Sequence, residues 1–148
     1  MTSGNKILIA DDEPDILEII EFNLQAQGYD VTTAKNGDEA FEKAKQVKPD
    51  LIILDIMMPG KNGIEVCKML RMIPAFKQTL IVFLTALSDE TTEIKGLETG
   101  ADDYLTKPIS PKVLVSKINA LFRRLNKEET GIIKIGDLQI NREKYSVT

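Results

Sequence analysis

Polar side chains that could take part in a reaction lie at the ends of short apolar segments of this chain. Three are carboxylates, one is a hydroxyl and one is an ammonium group: Asp11, Asp12, Asp55, Thr85 and Lys107. The apolar segments that precede them have the length and composition of buried strands. If those strands are parallel, their carboxyl ends share one edge of a sheet, which is where ligands bind in open α/β sheets. The five side chains are therefore predicted to converge in one crevice.

The residue types at this predicted crevice favour a divalent cation and an anion. Three close carboxylates repel one another unless a cation joins them. Oxygen ligands suit Mg²⁺, with Mn²⁺ as the alternative, and the chain has no histidine to support other mechanisms. A carboxylate such as Asp55 can accept a phosphoryl group. The metal and Lys107 would then balance the phosphoryl charge, and Thr85 would donate a hydrogen bond.

Apolar segments alternate with amphipathic helical segments along the first 125 residues. The predicted strands cover residues 6–10, 29–34, 51–54, 80–84 and 101–106. Helical spacing of apolar residues follows each strand, and the last helix is predicted to end near Arg123 and Arg124. This alternation predicts an α/β fold with a parallel sheet that helices cover on both faces.

Composition narrows the classes of protein that the chain can represent. Hydrophobic residues make up 43% and charged residues 28%, as in ordinary globular domains. The net charge of −4 argues against a nucleic-acid-binding surface. A single cysteine allows no intrachain disulfide, and the longest apolar run is too short to cross a membrane. We expect a soluble, cytoplasmic protein without a membrane partner.

Four segments, in order, resemble the receiver domains of two-component response regulators. They are Asp11-Asp12, residues 54–60 (Leu-Asp-Ile-Met-Met-Pro-Gly), residues 84–86 (Leu-Thr-Ala) and residues 100–108 (Gly-Ala-Asp-Asp-Tyr-Leu-Thr-Lys-Pro). The resemblance covers roughly residues 6–125. It implies a flavodoxin-like, doubly wound, five-stranded sheet of strand order 2-1-3-4-5.

The resemblance also implies a role for each of these residues. Asp55 corresponds to the phosphoacceptor, and Lys107 to the lysine that pairs with the phosphoryl group. Asp12 corresponds to a direct metal ligand, and Asp11 to an acid that binds the metal mostly through water. Asp55 and the backbone carbonyl of Met57 complete the implied metal ligands.

Three further features follow from the same resemblance. Thr85 and Tyr104 correspond to a switch pair, in which the hydroxyl moves to the phosphoryl group and the ring turns inward. Met57 and Leu87 flank the path of attacking water and are apolar here, which implies slow loss of the phosphoryl group. The bond between Lys107 and Pro108 is commonly cis in this family.

Each residue also has a purely structural interpretation. Asp11 or Asp12 could cap the helix that begins at Pro14. Asp55 could simply end a strand before a turn. Likewise, Thr85 could be an ordinary strand residue and Lys107 a solvated surface lysine. Tyr104 could merely pack at the edge of the sheet.

The chain is predicted to contain three parts. Residues 1–125 form the receiver domain and residues 126–131 a polar linker. Residues 132–148 have short alternating segments that resemble the start of a winged-helix DNA-binding domain of the OmpR/PhoB type. A C-terminal edge packed on the main domain is the alternative. The chain ends before any recognition helix, so we expect DNA binding only through the missing effector.

Together these patterns predict a phosphorylation-activated response regulator rather than an enzyme that acts on other substrates. A sensor histidine kinase is the expected donor, and phosphorylation is expected to promote a homodimer through the fourth helix, fifth strand and fifth helix. A stand-alone phosphorelay or docking receiver is the alternative. A haloacid-dehalogenase-type hydrolase is disfavoured, because its second acid would stand at Met57.

Overall fold

The computed structural model describes the backbone of residues 5–86 and 100–134, and side chains as far as residue 125. The chain divides into two compact units, residues 1–115 and residues 116–148. The predicted helix at 89–99 and the strand-like segments after residue 134 lie outside the described residues, as does Leu87.

Five parallel strands form one sheet in the first unit. They are β1 (Lys6–Ala10), β2 (Asp30–Ala34), β3 (Leu51–Asp55), β4 (Leu80–Thr85) and β5 (Asp103–Thr106). Their order is β2-β1-β3-β4-β5, which confirms the predicted doubly wound arrangement. The two central strands β3 and β4 are buried along their whole length, as their near-continuous apolar sequences require.

In the described part of the chain, three helices connect the strands: α1 (Pro14–Gln25), α2 (Gly37–Val47) and α3 (Gly63–Arg71). Because strand order reverses after β2, right-handed crossovers place α1 on one face of the sheet and α2 and α3 on the other. The cluster on the second face includes Ala40, Val66 and Cys67. Burial raises the pKa of the Cys67 thiol to about 11, so this thiol stays protonated and unreactive in the core.

The helical spacing of Ile16, Ile19, Ile20 and Leu24 predicts a helix in this segment, and α1 is that helix. In the structure Leu17, Ile20 and Leu24 are buried, whereas Ile19 is exposed. Positions 17, 20 and 24 are also helically spaced, so two apolar stripes competed, and packing selected the one that includes Leu17.

The C-terminal helix, Pro111–Lys134, begins as predicted but continues past its expected end. The helix was expected to stop near Arg123 and Arg124, yet the backbone of residues 126–134 is helical. Lys and Glu in that polar stretch are good helix formers, which explains why polarity did not produce a loop. The prediction of strand-like structure is therefore wrong for residues 132–134, while the proposed domain boundaries stay predictions.

Candidate functional site

The carboxyl ends of β1 and β3 lie side by side. Ala10 pairs with Leu54 in the parallel register, so the residues that follow them, Asp11 and Asp55, are neighbours. Asp11, Asp12 and Asp55 each offer a carboxylate oxygen, and these oxygens all lie within 4.8 Å of one another. Asp11 and Asp55 are buried, whereas Asp12 is exposed. The structure thus brings the three predicted carboxylates together.

Lys107, which follows β5, reaches into this carboxylate cluster. Its Nζ lies 3.0 Å from Asp11 Oδ2 and 3.1 Å from Asp55 Oδ2. Burial lowers the pKa of the ammonium, but hydrogen bonding and charge from Asp11 and Asp55 outweigh burial and raise it overall. Lys107 therefore stays charged at neutral pH and offsets part of the carboxylate charge. The Lys107–Pro108 bond is cis, as the resemblance implied.

Asp11 has one oxygen with a complete hydrogen-bonding arrangement and one without. Oδ1 accepts a hydrogen bond from the backbone N–H of Glu13 at 2.8 Å. Oδ2 is buried, and its partner among the described residues is the Lys107 ammonium at 3.0 Å. A carboxylate oxygen has two lone pairs and can bind a second cation beside the lysine. An all-oxygen cluster with such an acceptor fits a hard divalent cation.

Asp55 lies at the centre of the site, with a different partner for each oxygen. Oδ1 accepts from the backbone N–H of Met57 at 3.1 Å, and Oδ2 accepts from Lys107. Burial and, to a smaller extent, the charge of Asp11 raise the pKa of Asp55 to about 6 overall, against the opposing effects of Lys107 and the Met57 N–H. Additional positive charge next to Asp55 would therefore stabilise its ionised form.

The loop after Asp55 is held close to it by the start of α3. A Cβ atom at Gly63 would lie 2.5 Å from the backbone oxygen of Asp55, so only glycine fits there. Asn62 caps α3 by accepting from the backbone N–H of Glu65, whose side chain accepts from the N–H of Asn62. The side chain of Met57 in this loop is 72% exposed. The metal-ligand role of its carbonyl stays a prediction.

Thr85 and Tyr104 lie on neighbouring strands near the site. Thr85 ends β4 one residue beyond Leu84, which pairs with Asp55, and its side chain is buried. Tyr104 pairs with Phe83 and is half-buried against the core on the α2 and α3 side of the sheet. This placement allows both predicted switch roles, which stay predictions.

A family model for the response regulator receiver domain matches residues 7–119. The chain belongs to the receiver-domain family. The matched range contains all seven residues that the sequence singled out for the site. Receiver domains bind Mg²⁺ in an acidic pocket, and the carboxylate cluster of this receiver domain has the matching donor types.

Curated relatives confirm the predicted OmpR/PhoB-like subfamily. The alkaline phosphatase synthesis transcriptional regulatory protein PhoP of Bacillus subtilis is 46% identical over 96% of this chain and 62% of its own length. The phosphate regulon transcriptional regulatory protein PhoB of Rhizobium meliloti is 39% identical over 96% of this chain and 63% of its own length. The chain therefore spans less than two thirds of these relatives.

Solved structures agree with the fold. The chemotaxis response regulator CheY4 of Vibrio cholerae is 36% identical, with a TM-score of 0.75 over 78% of this chain and 96% of that chain. Among the described residues, no helix of this receiver domain is long and apolar enough to span a membrane.

Sequence reasoning missed a fourth carboxylate at the site of this receiver domain. Glu13 Oε1 lies 3.6 Å from Lys107 Nζ, and the backbone N–H of Glu13 binds Asp11. The available signal was the run of three consecutive acids at 11–13. The contact between Lys107 and Asp11 was also missed, because strand order alone does not show which acids a long side chain reaches.

Asp55→Asn is expected to stabilise the metal-free protein more at pH 8 than at pH 5. A folded-state pKa of about 6, above the ordinary 3.8, means that the folded state binds this proton more tightly than the unfolded chain. That stabilisation is present at low pH and is lost as the pH rises through 6. The ionised carboxylate then costs about 3 kcal/mol, which the neutral amide removes.

Urea denaturation in EDTA at the two pH values measures this difference. Asp30→Asn, which replaces an exposed carboxylate at the opposite end of the strands, is the matched control and should change stability equally at both. An equal gain for Asp55→Asn at pH 5 and pH 8 would show that its carboxylate is not destabilised in the folded state.

Proposed function

We propose that this chain is the phosphoacceptor domain of a transcription regulator, in which Asp55 takes a phosphoryl group from a sensor histidine kinase in a Mg²⁺-dependent reaction. The observation that carries the proposal is the position of Asp55, buried between Lys107 and two further carboxylates at the ends of adjacent strands. The proposed domain boundaries remain residues 1–125, 126–131 and 132–148.

The proposed metal ligands are Asp11, Asp12, Asp55 and the backbone carbonyl of Met57. Three clustered carboxylates and a buried acceptor on Asp11 support this set. When bound, Mg²⁺ would supply positive charge that offsets the charge of the carboxylates and of the incoming phosphoryl oxygens. Mn²⁺ has the same preference for oxygen ligands and is the expected substitute.

The chain's own residues account for the transfer step. An oxygen of Asp55 forms a bond to phosphorus while the bond from phosphorus to the donor breaks, and the donor leaves with that electron pair. Above pH 6 the nucleophile is already ionised, so no base is needed. Lys107 remains protonated and changes partners, from the Asp55 carboxylate to the phosphoryl oxygens.

The proposed switch connects this step to the sheet edge. The Thr85 hydroxyl would donate to a phosphoryl oxygen, and the ring of Tyr104 would move inward behind it. Their places on neighbouring strands support this role. The proposed output is a homodimer through the fourth helix, β5 and the C-terminal helix.

The proposed partners follow from the relatives and from composition. PhoP and PhoB are transcriptional regulatory proteins, which supports DNA binding through an effector domain in the whole protein. The 148 residues contain no histidine, so a phosphohistidine donor lies outside this chain. Location in the cytoplasm, where such a kinase would present its phosphohistidine, is part of the same proposal.

A stand-alone phosphorelay or docking receiver is the second candidate. The match to CheY4, a chemotaxis response regulator of which 96% is covered, favours it. The gene sequence beyond the codon for Thr148 distinguishes the two candidates. A further segment of about 80–100 residues, which is a plausible length for a small domain, would support the transcription regulator if it has winged-helix character.

Incubation with acetyl phosphate tests the proposed reaction without requiring the kinase. Intact-mass analysis should detect one added phosphoryl group in the presence of Mg²⁺ and none after EDTA treatment. Readdition of Mg²⁺ should restore labelling. Equal labelling in EDTA would overturn the metal dependence, and no labelling under any condition would overturn the proposed function.

A further inference from the structure

Arg71, the last residue of α3, binds backbone carbonyls from two distant segments. Its Nη1 donates to the carbonyls of Phe76 at 2.7 Å and Thr79 at 2.8 Å. Its Nε and Nη2 donate to the carbonyl of Gly100 at 3.0 and 2.7 Å. Nη2 also contacts Asp102 Oδ2 at 3.2 Å. We call Arg71, Asp102 and these three carbonyls the Arg71 clasp.

Asp102 extends the Arg71 clasp to the start of β4. Its Oδ2 accepts from the backbone N–H of Ile81 at 2.9 Å, and its own N–H donates to the carbonyl of Ile81 at 2.7 Å. The register of β4 and β5 begins one residue later, where Val82 pairs with Asp103. The clasp therefore holds the residue from which the alignment of β5 along β4 starts.

Among the described residues β5 has one strand neighbour, and Tyr104 and Leu105 pack on the core. The strand is four residues long, lies at the edge of the sheet and pairs only with β4. Of its residues only Leu105 is fully buried. At its far end the backbone N–H of Lys107 donates to the carbonyl of Thr85 at 2.8 Å. A short strand with these contacts depends on both of its ends for its position.

The two ends of β5 are therefore connected, because a movement at one end changes the position of the other. The Arg71 clasp lies at the amino end of the strand, and Lys107 follows its carboxyl end. A shift or fraying of β5 would move the backbone of Lys107, and its Nζ would lose the contacts of about 3 Å with Asp11 and Asp55. Misplacement by about 1 Å can slow a reaction by two orders of magnitude.

We propose that Arg71 is a positioning residue for phosphoryl transfer, which acts by holding β5 so that Lys107 reaches Asp55. This inference rests on the proposed function. Arg71 touches neither the carboxylate cluster nor its lysine, so its effect has to pass through the strand. The guanidinium fork suits this task because its donors bind several carbonyls at once, which a lysine ammonium cannot reproduce.

A double-mutant cycle between Arg71 and Lys107 tests the inference, with the rate of phosphorylation by acetyl phosphate and Mg²⁺ as the readout. We expect Arg71→Ala to lower the rate about tenfold in the parent protein but less than about twofold in a Lys107→Ala background. A residue that only stabilises the fold would lower the rate by the same factor in both backgrounds. Lys68→Ala, an exposed lysine on the same helix, is the control and should leave the rate unchanged.

Amide hydrogen exchange provides the second measurement. Arg71→Ala should increase exchange at residues 103–107 while the amides of β1 and β3 keep their protection. If Arg71→Ala does not fold at the assay temperature, the cycle is run with Arg71→Lys, which keeps the charge and loses the fork. Additive effects in the cycle, or unchanged exchange in β5, would overturn the inference. A parent protein that is never phosphorylated would instead overturn the proposed function.

Discussion

Asp55→Asn is expected to remove phosphorylation by acetyl phosphate completely, because it replaces the proposed phosphoacceptor carboxylate, which ends β3 in contact with Lys107. The amide is nearly the same size as the carboxylate but cannot form the acyl phosphate. The amide oxygen can keep one of the two acceptor contacts, with Met57 or with Lys107, and the amide nitrogen replaces the other oxygen at almost the same size. Intact-mass analysis after incubation with Mg²⁺ and acetyl phosphate measures the loss.

Two variants separate loss of the nucleophile from loss of the fold. Asp30→Asn should be phosphorylated like the parent protein, because Asp30 is exposed at the opposite ends of the strands. Asp55→Asn itself should remain folded and, without metal, should be more stable at pH 8 than the parent. A phosphoryl group on Asp55→Asn, mapped to another residue, would show that the site has been assigned incorrectly.

Lys107→Ala is expected to slow phosphorylation by about 10²-fold while it tightens Mg²⁺ binding several-fold. The rate falls because the ammonium no longer stabilises the charge on the transferring group, and removal of one such donor commonly has an effect of this size. Metal affinity rises because Lys107 pairs with Asp11 and Asp55 in the metal-free protein and its charge opposes that of the ion. The two properties therefore change in opposite directions.

Labelling kinetics and calorimetric titration with Mg²⁺ measure the two effects separately. Lys112→Ala, which replaces an exposed lysine in the first turn of the C-terminal helix, should alter neither. Weaker Mg²⁺ binding by Lys107→Ala would mean that the lysine holds the carboxylates in place more than it competes with the metal.

Strand positions and the core of the sheet could be predicted because their sequences satisfy strong local requirements. Apolar runs such as residues 51–54 fit only a strand buried on both faces, and the acids that follow mark the edge where strands end. This logic placed Asp11, Asp12 and Asp55 in one cluster. The structure confirms that these three carboxylates lie close together, and the positions of the strand ends predict this without the family resemblance.

Other features depend on competition that local sequence does not resolve. Either Leu17 or Ile19 could have faced the core from α1, and only packing against the sheet decides. The helical backbone through residues 126–134 shows the same limit at the C-terminal helix, where polarity suggested a linker.

Long side chains are harder still to predict. The sequence predicted that Lys107 lies near the site, but it did not predict that Lys107 also contacts Asp11 and Glu13. Arg71 carried no recognisable signal, because most of its partners are backbone carbonyls, which every residue type has. Interactions of a side chain with a remote backbone become visible only in three dimensions.

The outer side of β5 has a consequence for self-association. An edge strand presents backbone groups that can extend a neighbouring molecule's sheet, which is a route to aggregation. β5 resists this because it is only four residues long, starts beside two acids, Asp102 and Asp103, and is followed by Pro108. Copies of this domain that meet along this edge should therefore join through side chains, which leaves the association reversible.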